Sequence, residues 1–133
     1  MTHAAIRAAL ESRLAALGIP VNAIAWPGVK FPAVDGVRPP NLWYKPAVLP
    51  GSVDAGLGVA AGTYPNGDFQ VSVFYAASLM NGTGAIVTAA DALVTGFDRV
   101  RLGSLQCGVP KIGPLLQETD WLHLPVTVSY QST

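Results

Sequence analysis

Residues Asp68 to Tyr75 constrain the fold more than any other segment. Phe69, Val71, Val73 and Tyr75 alternate with Asp68, Gln70, Ser72 and Phe74, the period of two that a strand shows when one face is buried. A second run has the same period, with Leu122, Leu124, Val126, Val128 and Tyr130 set against His123, Thr127 and Ser129. A sheet with one apolar face needs a cover, and two segments of helical period supply it. Ile6, Leu10, Leu14 and Leu17 share one stripe of a helix over Thr2 to Leu17, with Thr2 placed to cap it and Gly18 and Pro20 to stop it. Arg7 and Glu11 pair on its outer face. Ile86, Ala89, Ala90, Leu93, Phe97 and Val100 form the stripe of a second helix, about Ala85 to Arg101, with Asp91 and Thr95 outside.

Shorter signals fill the rest. Val21 to Trp26, Asn41 to Val48 and the alternating Leu105, Cys107 and Val109 read as strands. Pro46 and Pro125 lack a donor N–H, which predicts an edge position or a bulge for each of their strands. Leu49 to Asn66 reads as a long loop that orders against a neighbour, and Pro65-Asn66-Gly67 as a turn. The predicted order is α-β-β-β-α-β-β. That is an α+β fold over residues 1–133, a mainly antiparallel or mixed five-stranded sheet with two helices on one face. At 133 residues there is room for one core and one domain.

Charge and hydropathy narrow the function. Eight Lys and Arg against eight Asp and Glu give formal charge zero, so tight DNA binding through phosphate neutralisation is disfavoured. Apolar stretches are broken before the ~18 residues of a spanning helix, and Arg7, Glu11 and Arg13 interrupt any leader-like run, so no membrane contact and a cytoplasmic chain are expected. Only 12% of residues are charged, against about 25% in an ordinary domain. Trp26, Trp43, Phe74 and Trp121 fall at strand ends or off the core stripes. A neutral, charge-poor subunit with aromatics on the second face of its sheet is expected to be covered by copies of itself or by partners. The candidate interface is Trp43, Leu57, Val59, Phe74, Trp121 and His123.

Reactive constellations are sparse. Cys107 is the single cysteine and reads as a small buried apolar residue, and His3 and His123 read as surface or interface histidines. The six Asp and two Glu are scattered, without paired-Cys or His-x-His spacing. Gly56 to Gly62 misses the dinucleotide fingerprint, and Gly82-Thr83-Gly84 has no lysine to make a phosphate loop. Arg99 and Arg101 suit the C-terminal end of the second helix, while Lys30, Arg38, Lys45 and Lys111 are dispersed. No catalytic residue, metal or cofactor is expected.

Three stretches in order carry a family resemblance: Pro65 to Val73; Gly84 leading into Ala90-Asp91-Ala92-Leu93-Val94 with Phe97; and Trp121 to Tyr130. Behind a short N-terminal helix and a Pro-rich strand, they make the chain resemble phage tail terminator-like proteins, the minor tail protein U type of long-tailed phages, over about residues 3 to 130. The resemblance implies a phage or prophage structural protein without catalytic residues. It implies a homo-oligomeric ring, commonly a hexamer, at the head-proximal end of the tail tube, where it stops polymerisation and meets the head connector. Its partners would then be tail tube protein, head-tail connector protein and genomic DNA sliding through the lumen without tight binding, in a virion tail assembled in the host bacterial cytoplasm. A chain of this length approximates a sphere of about 36 Å, and six in a ring leave a hole of about that width, enough for duplex DNA. Two other readings are a head-completion or stopper protein of the same virion, and a small α+β enzyme or ligand-binding domain drawing on Tyr64, Tyr75, Asp91 and His123.

Overall fold

Pro46, Pro50 and Pro125 show how the strands are arranged. The computed structural model describes residues 2–34, 36–55, 63–79 and 82–132. Its antiparallel sheet is built on strands β1 (Leu42–Ala55), β2 (Thr63–Ala76) and β7 (Trp121–Ser132), with short strands β3 (Arg101–Leu102), β4 (Leu105–Cys107), β5 (Lys111–Ile112) and β6 (Leu116–Gln117). The spatial order is β1-β2-β7-β4-β3, and β5 and β6 also pair with β7. Tyr44 offers its carbonyl to Ala25 N–H (2.8 Å), away from β2. By the alternation of an antiparallel ladder, Pro46 and Pro50 then face the same open edge, where a missing N–H leaves no acceptor unmet. Pro125 lies in the central strand, not at an edge. Its carbonyl accepts from Gly113 N–H (2.8 Å) on the side where β5 has ended and β6 has not begun, so its missing donor meets a gap in the ladder.

The long alternating strands stand as the sequence predicts, and so do both helical stripes except at their ends, where Leu17 lies beyond α1 and Val100 beyond α2, each half-buried. Helix α1 (His3–Ala15) buries Ile6, Leu10 and Leu14, and Thr2 Oγ1 accepts the Ala5 N–H at 3.1 Å. Helix α2 (Gly84–Phe97) buries Ile86, Ala89, Ala90, Leu93 and Phe97. These side chains meet Phe69, Val71, Val73 and Tyr75 of β2 and Leu124, Val126, Val128 and Tyr130 of β7 in one core. Both helices therefore cover the same face of the sheet. Gly18, at φ +81°, carries the chain off α1 in a left-handed turn. Where the helices end together, Arg13 Nε donates to the Gly96 carbonyl at 2.9 Å. This guanidinium meets an orphan acceptor at the negative end of α2. Arg13→Ala is expected to cost about 1–2 kcal/mol in a urea melt, whereas Arg7→Ala, whose pair with Glu11 (3.1 Å) is solvated, costs a few tenths.

Five local expectations are corrected. Val21 to Trp26 is no strand: Val21–Ala23 is a single 3-10 turn, closed by Ala23 N–H to the Pro20 carbonyl, and Ile24 makes one parallel bridge to Tyr44. The loop expected over Leu49 to Asn66 is strand at both ends, because β1 runs on to Ala55 and β2 starts at Thr63. Its middle, with Leu57 and Val59, lies outside the described residues. Pro65-Asn66-Gly67 is strand rather than turn, with Asn66 opposite Gln131 and Gly67 opposite Tyr130. The second helix stops at Phe97, not near Arg101: Asp98 turns extended, at ψ 107°, and Arg99 beyond it, at a left-handed φ of +52°, donates its N–H to the Gly108 carbonyl. Val109 leaves the fourth strand and is exposed. Among the described residues the sheet therefore has seven strands rather than five, in the order α-β-β-α followed by five further strands.

Candidate functional site

The face of the sheet opposite the helices is built by register. Trp43 of β1 stands across from Phe74 of β2, and Phe74 stands across from His123 of β7. The three rings form one row. Trp43 stacks on Phe74 at 4.2 Å and 8°, and Phe74 stacks on His123 at 4.5 Å and 4°. Trp121 and Trp43 meet edge to face at 5.7 Å, and Phe31, from the Pro-rich segment before β1, leans on Trp43 at 4.9 Å. Each ring is half-buried. Four of the six predicted interface residues thus converge on one cluster, while Leu57 and Val59 lie outside the described residues. Phe31 was not among those predicted; its only signal was a large aromatic beside Pro32 in a segment too proline-rich to be helical.

The cluster carries an electrostatic mismatch. Trp43 Nε1 and His123 Nε2 are buried without a hydrogen-bond partner, and an unmet buried polar group costs about 1–3 kcal/mol. The other imidazole nitrogen, Nδ1, lies 3.8 Å from a carboxylate oxygen of Glu118. Beyond the aromatic row the same face turns polar, with Lys45, Ser72, Gln70 and Thr127 in the next rows.

Among the described residues, no other grouping offers converging chemistry. Tyr75 points into the core and His123 to the opposite face, while Asp91 sits on the solvent side of α2. Among the described residues, no three of His, Cys, Asp and Glu come together. Burial pushes the Cys107 thiol up, with Arg13 offsetting part of the effect, so the neutral form dominates at pH 7. Burial likewise raises the phenols of Tyr44 and Tyr130, the latter also through Asp68. Their folded state holds its protons more tightly than the unfolded chain, so stability is full below the ordinary phenol value of about 10 and is lost as pH climbs from there through the raised folded values. Melting temperature is expected to fall above about pH 10, and Tyr130→Phe to flatten part of that fall.

Two features at the rim of the sheet carried no sequence signal. A cavity of about 280 Å³ opens between α1 and the outer edge of β1, lined by Arg7, Glu11, Pro46, Val48, Pro50 and Phe69 among others. At the opposite edge, Val109, Ile112, Leu115 and Leu116 are 57, 43, 42 and 47% exposed.

The family model described as phage tail terminator protein matches residues 5–130. One solved structure, whose name describes no function, shares the fold with a TM-score of 0.72 and 21% identity, over 100% of this chain and 96% of that one. A comparison with curated proteins finds no match.

Proposed function

The chain belongs to the phage tail terminator family, and on that premise we propose that it closes into a ring, six subunits being the favoured number, on the head-proximal end of the tail tube. There it stops addition of tube subunits and offers its far side to the head connector. The observation that carries this reading is the family match over nearly the whole chain, residues 5–130. Three features support it. The subunit is neutral and charge-poor, which suits a surface shared with copies and a lumen through which DNA slides without sticking. One sheet face holds an aromatic row of the kind found at the centres of protein interfaces. Exposed apolar groups and an apolar cavity lie at opposite edges of the sheet, and a ring needs two different surfaces that fit each other. The role is structural, with no catalysis, in a tail assembled in the host cytoplasm.

Cryo-EM of tails made without heads tests the position. A terminator appears as a density cap on one end of each headless tail, and tagging the chain labels that cap. Label found on heads and absent from headless tails would instead make the chain a stopper protein of the neck.

A further inference from the structure

The geometry points to the contact that joins neighbouring copies: the apolar edge at Val109–Leu116 of one chain seats in the cavity between α1 and β1 of the next. This inference rests on the ring reading and names the surfaces that reading requires. The two surfaces lie at opposite ends of one sheet, beyond β7 and beyond β1, so one copy can offer an edge while the other receives it. Neither edge can extend the sheet by regular strand pairing. Pro46 and Pro50 remove two outward donors from β1, and β5 and β6 are two residues each, separated by Gly113-Pro114. Association there has to run through side chains. The surfaces match in kind: Ile112, Leu115 and Leu116 stand exposed, and Pro46, Val48, Pro50 and Phe69 line the cavity. They also match in charge. Lys111, exposed in the middle of the apolar edge, pairs with Thr127 along the strand, and its ammonium group enters no ion pair among the described residues. Glu11 at the cavity rim accepts from Arg7 Nε at Oε2, and a carboxylate has a second oxygen with which to meet a cation from outside. A second copy therefore fits this cavity better than an acidic or strongly basic partner.

Cross-linking tests the contact, on the purified chain and on assembled tails, with buried Cys107 left in place. Glu11→Cys and Lys111→Cys chains, mixed and oxidised, are expected to form disulfide dimers linking 11 to 111, while neither forms them alone. A chain carrying both substitutions is expected to give a ladder of multimers that ends at the ring number. Adding Ile112→Glu, at an exposed position, is expected to cut the cross-link yield at least tenfold without changing the thermal melt. Dimers of Lys111→Cys with itself, or no link between 11 and 111 in either preparation, overturn the proposal. If native mass spectrometry then finds the unmodified chain in closed rings, the ring stands and this contact falls. One copy per tail and a monomer in solution remove both.

Discussion

Trp43→Ala is expected to lower the melting temperature of the subunit by roughly 8–12 °C, corresponding to about 2–3 kcal/mol at about 4 °C per kcal/mol for a chain of this length. Trp43 makes three of the ring contacts on the open face, with Phe31, Phe74 and Trp121. Removing a buried Trp side chain costs about 3–5 kcal/mol in a full core. Here the ring is half-buried, and its deletion also removes an indole N–H that has no partner, so the loss is smaller. Trp43→Phe separates the two effects. It keeps a ring against Phe74 and removes the unmet N–H, and should stay within about 1 kcal/mol of the parent. If Trp43→Ala melts like the parent, the stack does not hold the free subunit together, and its packing matters only once a neighbour covers it.

Gly67→Ala is expected to be comparably damaging, through crowding rather than through backbone angles. A methyl group there would lie 2.5 Å from the Leu49 carbonyl oxygen, 2.6 Å from the Tyr130 hydroxyl and 2.8 Å from the Gly51 nitrogen. Two of those atoms are backbone of the neighbouring strand, so relief requires parting β1 from β2. Overpacking of that kind costs about 1–3 kcal/mol, occasionally more. Tyr130→Phe alone should be neutral or slightly stabilising, because the hydroxyl is buried and unpartnered. Added to Gly67→Ala it removes one clash of three and recovers only part of the loss, as read by chemical denaturation. Full recovery in the double variant would mean that β1 yields and only the hydroxyl was in the way.

Gly67 also shows where the sequence was legible and where it was not. Pro65-Asn66-Gly67 carries turn chemistry, yet the glycine serves a close approach among three strands, a demand set by residues far away in the chain. Periodic signals were reliable because burial itself writes them. The stripes of Ile6, Leu10 and Leu14 and of Ile86, Leu93 and Phe97 are buried as spaced, and so are the alternations of β2 and β7. Endings were less legible. Helix α2 stops at an extended Asp98, and the left-handed position after it is taken by Arg99, where a glycine would have announced the stop. Two-residue strands such as β5 and β6 exist only because β7 has an open side to pair with, and no local pattern marks them. At the site, register made the aromatic row legible: Trp43, Phe74 and His123 were each off the core stripe, and the pairing of their strands placed them ring upon ring. The cavity beside α1 and the exposed Ile112 and Leu116 emerge only when distant segments meet.

Whether this chain ends the tail is read from the tail-length distribution after its gene is deleted from the phage. Tubes are expected to run past the normal length with a broad distribution and to fail to join heads, with both defects reversed when the chain is supplied in trans. Tails of normal, uniform length that still join heads would contradict that role.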